Sequence, residues 1–264
     1  MYSRFKLARK YLNYYLSASN GKGHGVHSPF VFDFIKNVLT DKSEYPAYKE
    51  IEAVRKKLLH NKTFIQVEDF GAGSSVIKTN KRQISKIAAT SVKPKKYAQL
   101  LYRLIKYYKP ESCIELGTSL GITGAYLASA TDKKLYTLEG SVAIAGIARE
   151  TFDSLKLNNA ELINGAFEAT LPALLMKVKP VAFVFIDGNH RKLPTLHYFH
   201  ELIRHSTPAT ILVFDDIHWS HEMEEAWMEI KEDPAVTLTI DLFFLGIVLL
   251  RKDFKVKQHF KIRF

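Results

Sequence analysis

The feature that most constrains this chain begins after Pro110, where short apolar runs alternate with stretches of helical period. Residues 112–116 precede a helix opening at Gly121, 134–138 precede one from Ser141, and 160–163 precede 167–178. Residues 181–186 precede a helix after Leu193, and 210–214 one after Ser220. Runs this short fit strands, and the periodic stretches between them are long enough for crossover helices. The expected product is an α/β fold, an open, mostly parallel sheet with helices on both faces. The last two runs, 236–241 and 244–251, lie too close together for a crossover helix, so they are expected to pair as an antiparallel hairpin.

The upstream part has a different texture. Residues 1–60 read as helices, with Ser28 placed to cap a helix whose first residue is Pro29 and whose apolar positions Phe30, Val31, Phe34, Ile35 and Val38 share one side. A second helix is expected over about 48–59. A helical pattern over 84–108 breaks at Pro94, and Leu100, Leu101, Leu104 and Ile105 form its apolar stripe. Residues 1–110 hold 22 Lys and Arg against 7 Asp and Glu, whereas 111–264 hold 16 against 20. A step of that size predicts two regions with different jobs: a basic, mainly helical region over 1–94, covering a substrate or meeting a partner, and a ligand-binding domain over 95–264. Mixed aromatic and basic residues around Tyr102, Arg103, Lys106, Tyr107, Tyr108 and Lys109 resemble a nucleic-acid surface, but a packed helix stripe with a wet face explains them as well. Cys113 stands alone, so no disulfide framework supports the fold. The longest apolar run, 242–250, is divided by Gly246 and falls short of the roughly 20 residues a bilayer span needs. The basic N-terminus lacks a secretory apolar core. An organellar presequence is the lesser alternative to a surface helix, and a cytoplasmic location is the expectation.

Two glycine-bearing loops compete for a ligand. A ligand loop in such a sheet needs a strand before it, a helix after it, and an acid about 20 residues on for a ribose. The loop at 68–74 has no acid at that distance. The loop Glu115-Leu116-Gly117-Thr118-Ser119-Leu120-Gly121 has a strand before it and a helix after it, and Glu139 follows Gly121 by 18 residues at the end of the next strand. Its chemistry argues against a dinucleotide, because a carboxylate two residues before the first glycine repels a pyrophosphate. The same carboxylate suits a ligand carrying an ammonium and a sulfonium, which points to S-adenosylmethionine.

These motifs, with Glu139-Gly140, Asp187-Gly188-Asn189-His190 and Asp215-Asp216, resemble in order and spacing those of class I S-adenosylmethionine-dependent methyltransferases, most closely the small-molecule O-methyltransferase branch. The resemblance covers about residues 95–253. It implies a Rossmann-like, seven-stranded sheet of order 3-2-1-4-5-7-6 and a helical N-terminal extension. It further implies that Glu115, Gly117, Thr118, Ser119 and Gly121 line the methionine end of the cofactor. Glu139 and Gly140 would hold the ribose, Ala166 and Phe167 would border the adenine, and Asp187 would stand beside both cofactor and acceptor.

Ligands of open α/β sheets bind beyond the carboxyl ends of the strands. Asp187, Asp215 and Asp216 end two strands expected to be neighbours, and close carboxylates repel unless a positive group joins them. A hard cation such as Mg²⁺ takes oxygen ligands of this kind. The metal-dependent branch carries an aspartate and, 28 residues later, an Asp-Asn pair. Here Asp187 and Asp215 are 28 apart, but Asp216 stands where Asn is usual, which weakens the case for metal. His190 lies where that branch tends to carry a lysine base, and an imidazole can take a proton from a hydroxyl. His218 and Trp219 are candidates for the acceptor's border, and His24 and His27 lie in a glycine-rich connection. The function expected is methyl transfer to a small-molecule acceptor at a hydroxyl oxygen. The alternatives are a nucleic-acid methyltransferase using the basic region and a non-catalytic S-adenosylmethionine-binding module. A dehydrogenase is disfavoured by Glu115 and the glycine spacing.

Overall fold

The structure is a computed structural model that describes residues 1–19, 21, 27–68, 80–254 and 256–264. The first glycine loop, from Asp69 onward, and His24 lie outside the described residues. In chain order the elements are α1 (Arg4–Ser17), α2 (Pro29–Phe34) running into a π-helical turn (Ile35–Leu39), α3 (Pro46–His60), β1 (Phe64–Gln66), β2 (Lys81–Gln83), α4 (Ile84–Thr90) and α5 (Lys95–Tyr108). There follow β3 (Cys113–Leu116), α6 (Ile122–Ser129), β4 (Leu135–Glu139), α7 (Val142–Ser154), β5 (Ala160–Asn164), α8 (Phe167–Lys177) and β6 (Val181–Ile186). The chain closes with α9 (Lys192–Arg204), β7 (Ser206–Asp215), α10 (His221–Glu232), β8 (Leu238–Asp241), β9 (Leu245–Leu249) and β10 (Gln258–Lys261). No helix among the described residues is long and apolar enough to cross a membrane.

The chain forms two compact units. Lys42–Lys179 make one, with β3, β4 and β5 as consecutive parallel neighbours and β1 and β2 as a separate antiparallel pair. Its centre is α6, whose sequence Ile-Thr-Gly-Ala-Tyr-Leu-Ala is buried throughout. A helix apolar on every side has to be covered on every side, and α3, α5 and α7 all pack on it. The polar tip of Tyr126 is satisfied there, its hydroxyl donating to Glu52 at 2.8 Å. Arg103 is buried on α5, and Leu100, Leu101, Leu104 and Ile105 are in the core, which matches the packed-stripe reading of that helix.

Met1–Asp41 and Pro180–Phe264 make the other unit. Its strand order is β10-β8-β9-β7-β6. β6 and β7 are parallel, and β9 runs antiparallel to both β7 and β8. β6 reads Val-Ala-Phe-Val-Phe-Ile and is buried nearly throughout, as a strand covered on both faces must be. Within β9, Gly246 is required by packing: a Cβ there would lie 2.6 Å from the Trp227 ring of α10. The glycine that interrupts the apolar run therefore makes room for a tryptophan. Helix α1 seats Leu7, Tyr11, Tyr14 and Ala18 against Phe243 and Phe244 of the β8–β9 turn, and the buried Tyr14 hydroxyl donates to the carbonyls of Asp241 and Ile262.

The expected strand order is present in each unit, as 3-2-1 in β5-β4-β3 and as 4-5-7-6 in β6-β7-β9-β8. Among the described residues the sheet strands number eight rather than seven, because β10 adds in parallel to β8. Its residues Gln258-His259-Phe260-Lys261 hold one apolar side chain among polar ones, the pattern of an edge strand with little burial to announce it. Ser28 does begin a helix at Pro29, but its side chain makes no cap hydrogen bond; its backbone carbonyl accepts from Phe32 instead.

Candidate active site

In the first unit described above, the loop after β3 is built around Glu139. The carboxylate at the end of β4 accepts from the backbone N–H of Ser119 at 2.9 Å and of Ser141 at 3.0 Å. One acid thus ties the glycine loop to the start of α7. Burial pushes the Glu139 carboxyl above its ordinary value, and the N–H groups of Ser141, Ser119 and Gly140 pull it partly back. The Gly165 N–H and the Asn164 amide both donate to the Glu139 carbonyl, and Asn164 also reaches the Gly140 carbonyl. The end of β5, just before Ala166 and Phe167, is thereby fastened to the same rim. Both of these residues are partly exposed at the start of α8. The Ser119 and Ser141 hydroxyls are buried with no hydrogen-bond partner among the described residues.

The loop's shape follows from its backbone. Gly117 and Gly121 have φ of 101° and 81°, and Ser119 takes the same left-handed sense at 48°. A Cβ at Gly121 would also lie 3.1 Å from the Ala148 backbone, so glycine is needed there for conformation and for space. The N–H groups of Gly117 and Thr118 are spent on the Leu138 carbonyl, which holds the loop against β4.

Glu115 is placed differently from Glu139. It is fully buried. Its carboxylate accepts from Thr137 at 2.6 Å, and Thr137 in turn lies 2.5 Å from the Thr118 hydroxyl. A Cβ at Gly124 would sit 2.7 Å from Glu115 Oε2 and 3.0 Å from Phe152, so the carboxylate occupies space that α6 leaves open at its one glycine. Glu115 therefore underlies the loop. The threonine relay from Thr118 through Thr137 was not foreseen, since nothing local in the sequence pairs those positions.

In the second unit the register of β6 and β7 sets Ile186 opposite Phe214, which brings the following residues, Asp187 and Asp215, side by side. Asp215 is buried and Asp187 half-buried. His190 returns to them through a tight turn in which its N–H donates to the Gly188 carbonyl, and its Nε2 lies 3.3 Å from Asp187 Oδ1. Asp187, His190 and Asp215 each offer a ligand atom within 4.8 Å of the others. Asp216, expected in this set, is not among the three. Its backbone turns left-handed at φ 53°, its N–H donates to Phe244, and its carbonyl accepts from Trp219. Left-handed backbone also occurs at Asn189 (φ 70°), His190 (43°) and Phe243 (68°). Such backbone in residues with a Cβ costs on the order of 1–3 kcal/mol each and tends to gather where function requires a particular side-chain direction.

The loop after Asp216 is fixed from behind. His218 bridges Glu224 at 3.1 Å and Asp241 at 2.8 Å and stacks on Phe243. Glu224 also accepts from Tyr2 and Lys10 of the α1 region. Burial opposes ionisation of Glu224, yet the bonds from Lys10, Tyr2 and His218 outweigh it and hold the carboxyl below its usual range. The Trp219 ring lies 5.7 Å from that of His190. His27 is exposed.

A Rossmann-like sheet ending in an antiparallel hairpin, with a glycine loop and an acid at successive strand ends, is the fold of the class I methyltransferases. Residues 114–217 match the model of a family described as a methyltransferase domain. No curated protein sequence matches the chain. Among solved structures, the SAH-bound methyltransferase PaMTH1 of Podospora anserina superposes with a TM-score of 0.59 at 13% identity, over 96% of this chain and 98% of that one. The O-methyltransferase of Bacillus cereus in complex with SAH gives 0.55 at 18%, over 82% and 96%. The O-methyltransferase TomG of Streptomyces achromogenes, in complex with SAM and involved in tomaymycin synthesis, gives 0.55 at 16%, over 79% and 91%. At these identities the likeness is one of fold.

Proposed function

We propose that the chain transfers the methyl group of S-adenosylmethionine to a hydroxyl oxygen of a small-molecule acceptor. The observation that carries this reading is Glu139, presented at the end of β4 inside the matched domain, with two hydroxyls beside it, Ser119 and Ser141, that have no partner among the described residues. A carboxylate that accepts backbone N–H groups on its two oxygens retains further lone pairs for the hydroxyls of a ribose. When bound, S-adenosylmethionine supplies an electrophilic methyl on a sulfonium. Glu139, Gly140, Ser119 and Ser141 hold the nucleoside in this reading, and Gly117, Thr118 and Gly121 shape the loop at its methionine end. Ala166 and Phe167 border the base. Glu115 supports the loop from beneath through Thr137 and Thr118.

Methyl transfer asks little of a protein beyond alignment and removal of the acceptor's proton. We assign the proton to His190. Asp187 orients the ring through Nε2, and Trp219 borders the acceptor. A second reading rests on the convergence of Asp187, His190 and Asp215. One imidazole and two carboxylates fit a divalent cation, and the nitrogen donor makes the set less specific for Mg²⁺ than three carboxylates would be. A cation held there would supply Lewis acidity toward an acceptor hydroxyl. The two readings put the same imidazole to different uses, so chelation with metal add-back separates them.

Titration calorimetry with S-adenosylmethionine tests the main reading. Wild-type protein should bind, and Glu139→Gln should weaken binding by about ten-fold, the effect of one lost charge-assisted hydrogen bond. Equal affinity in both proteins would remove Glu139 from the cofactor site.

A further inference from the structure

Helix α1 has two faces, and the one described so far is the inner one. Leu7, Tyr11, Tyr14 and Ala18 pack inward on Phe243 and Phe244. On the outer face Phe5, Leu12 and Leu16 are 82%, 56% and 69% exposed. Their spacing of seven and four residues sets them along one stripe, with the exposed Ala8 between the first two. Arg4, Lys6 and Arg9 are exposed on the same helix. At its far end the Arg263 guanidinium sits 4.6 Å over the Tyr15 ring and its Nε donates to the Tyr15 carbonyl. Residues 1–32 contain no Asp or Glu.

From this face we infer that α1 docks the protein on an anionic lipid surface. An exposed apolar stripe flanked by cations is the composition of a helix that lies in a membrane interface. Hydrocarbon covers Phe5, Leu12 and Leu16, while anionic headgroups meet Arg4, Lys6 and Arg9. The rival occupants fit less well. A second copy meeting this face about a two-fold axis would set like charge against like. The phosphates of a nucleic acid would satisfy the cations but leave the apolar stripe in water. Helix α1 has 14 residues, too few to span a bilayer and enough to lie flat on one. It is also ordered in advance, because Lys10 and Tyr2 anchor it to Glu224 and Tyr14 anchors it to Asp241 and Ile262.

Cosedimentation of the full chain with sucrose-loaded vesicles tests the inference. Vesicles of phosphatidylcholine containing phosphatidylserine should carry wild-type protein down, and vesicles of phosphatidylcholine alone should carry at least ten-fold less. Added salt should weaken the association without abolishing it. Leu12→Glu with Leu16→Glu should reduce partitioning at least ten-fold, and Arg4→Gln with Arg9→Gln by about ten-fold. Both variants should keep the wild-type circular dichroism spectrum and S-adenosylmethionine affinity, which makes failure here distinguishable from failure of the proposed activity. The inference is overturned if wild type ignores phosphatidylserine vesicles or if the variants bind them as wild type does. It is overturned equally if sedimentation equilibrium shows a dimer that Leu12→Glu dissociates, or if an oligonucleotide binds this face and loses affinity with the same apolar substitutions.

Discussion

The two units carry acids at the ends of parallel strands, and they use them in opposite ways. In Lys42–Lys179 the acids are engaged by the protein itself: Glu139 is bonded to two backbone N–H groups, and Glu115 is sealed beneath α6 with Thr137. In the other unit Asp187 and Asp215 lie side by side with a histidine ring, on backbone that turns left-handed at Asn189, His190 and Asp216. The first arrangement shapes a loop and, in the function proposed above, would hold the nucleoside. The second gathers two carboxylates and an imidazole at one point and, in the same proposal, would handle a proton or a cation. A parallel sheet supplies both because its strand ends are where side chains leave the ladder and become available to a ligand.

That division of labour can be broken experimentally. The largest effect is expected from His190→Ala, which should lower kcat by about 10²–10⁴, the range for loss of a general base, while calorimetric affinity for S-adenosylmethionine stays unchanged. A parallel loss of affinity would show that the two rims do not divide the work. Next comes Gly124→Val, which forces a side chain onto Glu115 and Phe152. Overpacking of this kind costs about 1–3 kcal/mol, read as a lower midpoint in urea, and an unshifted midpoint would show that the carboxylate has room to move. Glu139→Gln sharpens the contrast through pH. Burial raises this carboxyl, so its contribution to stability is present at low pH and lost as pH rises through the raised value. The melting temperature of the Gln variant should therefore gain on wild type as pH rises above the ordinary carboxylate range, and a gap independent of pH would contradict the raised value. The smallest effect is expected at Asp216→Gly, which relieves a left-handed residue and should change stability by no more than about 1 kcal/mol.

The positions of the candidate residues at strand ends are legible in the sequence. The glycine loop, Glu139, Asp187, Asp215 and His190 all sit where a strand gives way to a loop, and that boundary is written in hydrophobic period and turn chemistry. Asp216 is the instructive exception. The choice between Asp216 and His190 as the third member of the cluster depends on two left-handed residues, and φ at an Asp or a His is not encoded locally. Asn164 and Thr137 escaped notice because each acts across strands. The edge strand β10 escaped because it buries too little to leave a periodic trace.

The succession of strands and helices, the antiparallel ending and the acids at the strand ends came from the amino-acid sequence alone, since period, glycine and turn residues act over a few positions. Tertiary packing decided what faces what. Glu115 went beneath α6 because Gly124 left a space there, Gly246 was taken by Trp227, and α1 turned one apolar stripe to the β8–β9 hairpin and left another in the open. A side chain's identity is local, but the direction it takes is settled by neighbours distant in the chain, and no pattern along one strand or helix records them.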